Sequence, residues 1–240
     1  YQYSVANVIG VQTYSNLKYL SSWSKKSNRK LEVLNNWISY VDEKKTKISI
    51  INTHLYKRKL FVYVGNMGVA QGMDIFIELA ESLKNKQDLG FIFVGRGSEV
   101  NKLKNSSIKK KLDNILFFDE ISSDEIQNLL KMCHVGLIAL DPRHKSHNIP
   151  GKFLTYLWAG LPVLARVNPG TDLQNLIEQE KVGIVYNGNM VDDFRILAEK
   201  LIDNEDSLKA MSDRGRALCY KMFSTNSAAN QIISSLSNYR

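Results

Sequence analysis

The chain has 240 residues, of which 44% are hydrophobic and 23% charged, a composition typical of a globular protein with a large core. Lys and Arg number 32 against 24 Asp and Glu, and this net charge of +8 favours anionic partners such as nucleotides, nucleic acid or an anionic membrane face. It also fits a solvated lysine surface. The two cysteines have no pairing pattern, and no apolar run approaches the roughly 18 residues of a membrane span, which argues against a disulfide framework and a spanning helix.

The first 60 residues predict a small α/β piece. In chain order we expect a strand at 8–11, a helix at 16–23, a basic loop at 25–30 and a strand at 31–34. A charged segment at 42–47 is typical of a linker. We therefore interpret residues 1–40 as the C-terminal remnant of a preceding α/β domain and 41–59 as a linker. Because the chain begins with Tyr1 rather than Met, we expect the C-terminal part of a longer protein.

From residue 60 onward, apolar runs of strand length alternate with segments of helical period. The predicted strands are 60–64, 91–94, 115–118, 135–140, 162–165 and 183–186. The predicted helices are 73–83, 99–112, 124–132, 152–159 and 171–180. Near-continuous apolar strands are typical of a parallel sheet covered on both faces, so we predict a doubly wound α/β domain over residues 60–224. The last segment, 225–240, predicts a helix at 225–236.

Two helix starts carry capping signatures. Ser122 and Glu125 have the spacing of a capping box. Thr171 precedes an acidic residue after a Pro-Gly pair, which predicts a second cap.

Two strand–turn–helix units predict a site for a diphosphate. In the first, Gly65 and Gly68 follow a strand, and we expect the backbone N–H groups of this turn to face the crevice beyond the sheet. In the second, Lys152 lies in the first turn of a helix, where a cation opposes the helix dipole. This placement indicates an anion that compensates the lysine, or a lysine that points into solvent. Thr155 offers its hydroxyl to a ribose or bonds back to its own helix.

Other nucleotide and metal motifs are disfavoured. No Gly-Lys-Ser/Thr follows the glycine turn, and the Gly95-Arg96-Gly97 segment carries Val100 where a dinucleotide fingerprint has its third glycine. His144 and His147 are not at ligand spacing with an acid or cysteine, which argues against zinc, and His134 is interpreted as structural.

These segments resemble a known family. GNMGVAQG at 65–72, FIFVGRGSE at 91–99, NILFFDEIS at 114–122 and residues 150–165 resemble the C-terminal, donor-binding half of a retaining GT-B glycosyltransferase of family four. Order and spacing agree over residues 31–240, and Asn35-Asn36-Trp37 is similar to a segment that ends the family's N-terminal domain. Within the family, the variants at both turns look most like bacterial O-antigen and capsule enzymes, including N-acetyl-L-fucosamine transferases.

The resemblance implies the following site. Gly65, Asn66 and Gly68 would approach the donor diphosphate and the acceptor side of the cleft, and Phe117 or Phe118 would meet the uracil through backbone groups. The sugar and the diphosphate would be bound by the loop of His147, Asn148, Ile149, Pro150, Gly151 and Lys152. Thr155 would face the ribose.

Two departures from the family pattern concern charge. The commoner pattern has Arg directly after the first glycine and Lys before the third, where this chain has Asn66 and Gln71. The usual pair of glutamates eight positions apart becomes His147 and Thr155. We hypothesise that Lys152, with Arg143 or Arg96, supplies the missing positive charge. Lys152 and Asn66 are our candidates for catalysis.

The resemblance also implies partners and a mechanism. A UDP-sugar, such as one with an N-acetylated hexosamine, would donate its sugar with retention to a lipid-diphosphate-linked acceptor, with no metal, cofactor or nucleic acid. The N-terminal domain would supply acceptor contacts, and we expect a cytoplasmic protein with a peripheral contact at the inner membrane face. Two rival functions stay open: a UDP-sugar epimerase of GT-B architecture, and a non-catalytic nucleotide-sugar-binding module.

Overall fold

The structure, a computed structural model, describes residues 2–27, 29–39, 42–143 and 148–237. The first elements are α1 (Gln2–Val5), β1 (Val8–Val11), α2 (Tyr14–Ser27) and β2 (Lys30–Val33), and the two strands pair in parallel. The predicted loop at 25–30 is wrong in its first residues, because α2 continues to Ser27. Lysine is a good helix former and no Gly or Pro interrupts the segment, so the basic residues extend the helix.

The second part of the chain alternates strands and helices. Its elements are β3 (Lys59–Val64), α3 (Asp74–Ser82), β4 (Leu89–Val94), α4 (Val100–Lys109), β5 (Ile115–Phe118), α5 (Ser123–Leu130), β6 (Val135–Ala139), α6 (Gly151–Ala159), β7 (Val163–Arg166), α7 (Asp172–Glu180), β8 (Gly183–Tyr186), α8 (Val191–Ile202), α9 (Glu205–Phe223) and α10 (Thr225–Ser237). Short 3₁₀ turns lie at Ile50–Asn52 and Val69–Gln71. Each bound of the predicted strands in this part lies within two residues of the observed one. Helices α8 and α9 were not among the predicted elements.

Within the described residues, β3 to β8 form one parallel sheet in the order β5-β4-β3-β6-β7-β8. Successive residues of each strand point to opposite faces. On β3, Leu60 and Val62 pack with helices α5, α6, α7 and α9, while Phe61 and Tyr63 pack with α3, α4 and α8. Both faces are therefore covered by helices, and the predicted doubly wound α/β fold is confirmed.

Capping bonds fix two helix starts as predicted. The Ser122 N–H and hydroxyl donate to Oε2 of Glu125 at 3.3 and 2.7 Å, which closes a capping box at α5. Oγ1 of Thr171 accepts the Gln174 N–H at 3.3 Å at the start of α7. His134 is structural, as expected, because its Nδ1 accepts the Leu60 N–H at 3.1 Å. No helix among the described residues combines the length and the apolar character that crossing a bilayer requires.

Candidate functional site

A crevice opens where the strand order of the sheet reverses. Strands β3 and β6 are neighbours, but their register includes only Phe61 opposite Val135 and Val62 opposite Gly136. Beyond Val62 the strands diverge toward their carboxyl ends, and this switch point is where ligands bind in open α/β sheets. The site is therefore expected between the turn after β3 and the start of α6.

The Tyr156 side chain lies in this gap between strands. Its hydroxyl accepts the N–H of Val64 at 2.9 Å, so a helix side chain replaces the partner that β6 no longer supplies. Gly136 makes room for the ring, because a Cβ at Gly136 would lie 2.5 Å from it. Helix α6 is therefore bound directly to the end of β3.

The glycine turn after β3 packs tightly against the turn after β4. Gly65 has φ +126° and Gly95 has φ +143°, and a Cβ on Gly95 would lie 2.1 Å from the Gly65 carbonyl oxygen. The Met67 N–H donates to the Arg96 carbonyl at 2.7 Å. The Gly-Arg-Gly segment at 95–97 therefore serves the close packing of two turns.

Most N–H groups of the glycine turn are already bonded within the protein. Gly65 donates to the Val94 carbonyl at 2.9 Å and Met67 to Arg96, while Gly68 donates to Oε1 of Gln71 at 3.0 Å. The expectation that these N–H groups face the crevice is wrong for all three, because they complete the sheet and the turn. Within the described parts of the chain, the Asn66 N–H is the one without a partner. The roles of Gly65 and Gly68 at the sugar donor stay predictions. With their N–H groups already bonded, these glycines would let the donor diphosphate come close to the backbone without forming hydrogen bonds to it.

Asn66 and Gln71, which stand where the family pattern has cations, bond to each other. Nδ2 of Asn66 donates to Oε1 of Gln71 at 3.1 Å, beside the bond from Gly68. A neutral amide pair thus closes the turn without adding positive charge.

Lys152 is half-buried against the other wall of the crevice. Its Nζ lies 3.5 Å from the ring centroid of Tyr63, and a Cβ on Gly65 would lie 3.7 Å from it. Among the described residues, no ion pair or hydrogen bond involves this amine. It borders a cavity of about 210 Å³ lined by Val64, Gly65, Ile126, Thr155 and Tyr156. Burial lowers the pKa of Lys152 to about 7, so the amine loses much of its charge near neutral pH.

The start of α6 has no side-chain cap. Pro150 is the N-cap residue and has no side-chain oxygen, so the N–H groups of Gly151 and Lys152 have no partner within the described ranges. Thr155 bonds back to its helix, donating to the Gly151 carbonyl at 3.2 Å, which is the second of its two predicted alternatives. Gly151 and Asn148 are exposed, whereas Ile149 packs in the core. His147, like His144, lies outside the described residues.

The two candidate arginines are paired with carboxylates, unlike Lys152. Nε of Arg96 lies 3.1 Å from Oε2 of Glu120. Arg143 donates from Nε and Nη2 to the two oxygens of Asp141, each at 2.8 Å, and this holds the pKa of the Asp141 carboxyl well below its usual range. Each arginine thus already has a carboxylate partner, whereas Lys152 has none among the described residues, so the hypothesis of added positive charge now rests on Lys152.

Phe117 and Phe118 lie on β5, at the edge of the sheet. The ring of Phe117 packs on Phe93 at 5.2 Å between centroids, and the Phe118 carbonyl accepts the Gly95 N–H at 3.1 Å. Since β5 pairs only with β4 in the described sheet, one side of its backbone is free to meet a base. Their role toward a uracil stays a prediction.

Several site residues were missed by sequence reasoning. Tyr63 and Tyr156 stand within apolar runs, where an aromatic residue is interpreted as core, and both are indeed fully buried. The signal that could have identified them is the hydroxyl, because a buried tyrosine needs a hydrogen-bond partner. A third is Arg166, buried at the end of β7, where it donates to the Leu140 carbonyl at 2.7 Å and to Oδ1 of Asn189 at 2.6 Å.

Comparison with known proteins agrees with this architecture. Residues 44–218 match the family of group 1 glycosyl transferases. The chain is 24% identical over 126 residues to the probable glycosyltransferase WbjE of Pseudomonas aeruginosa, which is 52% of this chain and 31% of that protein. It is 30% identical over 121 residues to the putative colanic acid biosynthesis glycosyl transferase WcaI of Escherichia coli K12, 50% of this chain and 30% of that protein. The matched region is thus under a third of either relative.

Solved structures show the same fold at low identity. Anabaena HepE in complex with UDP-glucose has a TM-score of 0.74 at 13% identity, covering 97% of this chain and 64% of that one. WaaG, a glycosyltransferase involved in lipopolysaccharide biosynthesis, has a TM-score of 0.66 at 18% identity, and the match covers 89% of this chain and 60% of WaaG. Fold and switch-point crevice are as expected for GT-B enzymes, and with a family match over most of its length the chain belongs to the group 1 glycosyl transferases.

Proposed function

We propose that this chain is the donor-binding part of a glycosyltransferase that moves a sugar from a UDP-sugar to a lipid-linked oligosaccharide in bacterial surface-polysaccharide synthesis. An N-acetylated hexosamine, such as N-acetyl-L-fucosamine, is the proposed sugar. Transfer is proposed to retain the anomeric configuration and to need no metal. The observation that carries the proposal is the Lys152 amine, which has no hydrogen-bond or ion-pair partner in the described part of the chain and lies between the start of α6 and the glycine turn.

A diphosphate suits this arrangement on electrostatic grounds. The start of α6 presents the positive end of a helix dipole and two N–H groups that no described residue accepts, and these favour an anion. A nearby diphosphate would raise the pKa of Lys152 from about 7, because an opposite charge favours the ammonium form. The lysine would therefore gain its proton as the donor binds.

The same groups can assist departure of UDP. As the glycosidic bond breaks, negative charge grows on the diphosphate, and groups already aimed at it stabilise the transition state. Lys152 and the helix start supply this charge without a metal. In the proposed front-face mechanism the acceptor attacks on the side from which UDP leaves, and no protein nucleophile takes part.

The relatives support the substrate class. WcaI is described as a colanic acid enzyme and WaaG as a lipopolysaccharide enzyme, and HepE was solved with UDP-glucose. A UDP-sugar epimerase would need carboxylates free to exchange protons in the cleft. Glu120 and Asp141, two carboxylates that follow strands at this edge of the sheet, are instead paired with Arg96 and Arg143, so neither is free for this role.

The proposal is tested by UDP binding at low salt, with isothermal titration calorimetry on the wild type and on Lys152→Met. We expect UDP and UDP-sugars to bind more tightly than uridine, and the variant to lose about tenfold in affinity or more, as expected for a hydrogen bond to a charged group. Above about pH 7.5 the wild-type affinity should fall with pH, because the free amine must then take up a proton, while Lys152→Met should not show this slope.

Lys86→Met is the matched control, since Lys86 precedes β4, at the amino edge of the sheet, and lies 3.3 Å from Oε1 of Glu199. This variant should bind UDP like the wild type. Equal UDP affinity of wild type and Lys152→Met would contradict the assigned role of the lysine. Interconversion of epimeric UDP-sugars would show the epimerase.

A further inference from the structure

The Tyr63 side chain contacts both walls of the crevice. It extends from β3 and is fully buried. Its hydroxyl donates to the Asn66 carbonyl at 2.5 Å, and its ring faces the Lys152 amine at 3.5 Å from the centroid. One side chain is thus shared by the glycine turn and the start of α6.

On the turn side, the hydroxyl fixes the orientation of one peptide group. The carbonyl of the Asn66–Met67 peptide accepts from Tyr63, and its N–H donates to the Arg96 carbonyl at 2.7 Å. A peptide plane bonded at both ends cannot rotate without losing a bond. The preceding N–H, that of Asn66, is left without a partner inside the described chain and is the turn's remaining donor for a ligand.

On the helix side, the ring is the contact of the Lys152 amine. Lysine ammonium groups are attracted to the face of an aromatic ring within about 6 Å. The side chains that line the cavity beside it, from β3, α5 and α6, include no carboxylate. The titratable neighbours are the hydroxyls of Tyr63 and Tyr156, and burial raises the pKa of both, so they stay neutral. Without the ring, no described group would fix the amine beside Gly65.

We propose that Tyr63 is a positioning residue for the donor: its hydroxyl sets the glycine turn and its ring holds the Lys152 amine beside Gly65. This inference rests on the proposed function, since it concerns the same crevice. Both anion-binding elements are then in place before the donor arrives, which lowers the ordering cost of binding.

Two substitutions separate the hydroxyl from the ring. Tyr63→Phe removes the bond to Asn66 but keeps the ring, so we expect UDP affinity to fall about three- to tenfold. The pH profile of Lys152 acetylation by trace acetic anhydride, measured by peptide mass spectrometry without ligand, should not change. Tyr63→Leu removes both contacts, so the amine is no longer fixed beside Gly65 and can turn into water. Relief of burial then outweighs the lost attraction of the ring, and the Lys152 profile should move toward higher pH, as for an ordinary lysine. An unchanged profile would show that the ring does not hold the amine.

Tyr186 provides matched controls. Its hydroxyl also donates to a nearby backbone carbonyl, that of Met190 at 2.6 Å, but from β8 at the far edge of the sheet. Tyr186→Phe and Tyr186→Leu should lower stability by similar amounts while leaving UDP affinity and the Lys152 profile unchanged. A loss of UDP affinity in Tyr186→Phe equal to that in Tyr63→Phe would overturn the inference, because general destabilisation would then explain both.

The outcomes distinguish this inference from the proposed function. If the wild type fails to bind UDP, the proposed function fails, and the ligand-free Lys152 profile still tests the role of the ring. If the wild type binds UDP but Tyr63→Phe binds it equally well, the positioning role is wrong and the proposed function stands. Should Tyr63→Leu not fold, the Tyr63→Phe affinity still decides the role of the hydroxyl.

Discussion

Among the cations near the crevice, Lys152 differs from the arginines in what neutralises it. Arg96 and Arg143 contact carboxylates, whereas Lys152 contacts an aromatic ring. Because no described carboxylate contacts the Lys152 ammonium, nothing offsets the cost of burying its charge, and its pKa falls to about 7. A diphosphate that binds here would be the first anion to contact the Lys152 amine. The positive charge of Lys152 is therefore more available to a ligand than that of either arginine.

Gly151 offers a test at the scale of one methyl group. Its φ lies outside the left-handed region, and a Cβ there would meet no described atom within 4 Å, so the described part of the chain does not require glycine at this position. Gly151→Ala should therefore raise the free energy of unfolding by about 0.5–1 kcal/mol, measured by urea denaturation. If the donor approaches this helix start closely, the same methyl group should weaken UDP binding about tenfold.

Gly170→Ala is the control for Gly151→Ala. A Cβ on Gly170 also meets no atom of the described residues within 4 Å, but Gly170 has φ +75°, so alanine there should lower stability by about 1 kcal/mol and leave UDP binding unchanged. A Gly151→Ala protein that binds UDP like the wild type would show that the donor does not approach this glycine.

The contacts of residues in the crevice could be predicted from the sequence only in part. The sequence indicated Lys152 and the glycine turn, because a lysine in the first turn opposes the helix dipole and glycine permits a close turn after a strand. It could not show that the turn's N–H groups are consumed by Val94, Arg96 and Gln71, since those bonds depend on the packing of two turns. The sequence could not single out Tyr63 either, because a tyrosine within an apolar strand fits a packing role in the core as well as a role in the site.

At the scale of elements, the strands could be predicted because a strand that is buried on both faces appears in the sequence as a continuous apolar run. Runs such as 60–64 and 115–118 are apolar throughout, and only a doubly covered parallel strand needs that. Helices α8 and α9 were not predicted, although both have buried faces, among them Phe194 and Leu218. Their apolar residues are spread among many charges, so the pattern was weaker than in the strands.

The link between α6 and β3 should be measurable as stability. Tyr156→Phe removes the acceptor of the Val64 N–H and leaves that buried group unpaired, which should lower the free energy of unfolding by about 1–3 kcal/mol in urea denaturation. Gly136→Ala forces a Cβ to 2.5 Å from the same ring, and overpacking of this kind costs about 1–3 kcal/mol.

The two changes should not be additive, because a ring displaced by the alanine would already have lost the bond between its hydroxyl and Val64. If the free energy of unfolding of the double variant falls by the sum of the two single decreases, the Tyr156 side chain and Gly136 are not coupled. Tyr186→Phe again serves as the comparison for losing a buried hydroxyl outside the crevice.

At the scale of the whole molecule, the large sheet is accompanied by a much smaller one. Strands β1 and β2 form a two-stranded parallel sheet, which is too small to be stable alone. Contacts with the second part support it: the Ser15 hydroxyl donates to Oδ1 of Asp172 at 3.0 Å, and the Ile38 N–H donates to the Phe223 carbonyl at 2.8 Å. A groove of about 900 Å³ is lined by this unit, by the end of α9 and by α10.

This arrangement predicts donor binding without efficient transfer. The crevice of the large sheet contains the proposed diphosphate elements, whereas the matched region covers under a third of WbjE or WcaI, and we place acceptor contacts in the part beyond it. The chain alone should therefore bind UDP but release little of it from UDP-sugars, even with a lipid-diphosphate acceptor present. A coupled assay of UDP release checks this, with Lys152→Met as the background. Turnover well above that background would show that acceptor binding is complete within these 240 residues and would overturn the prediction.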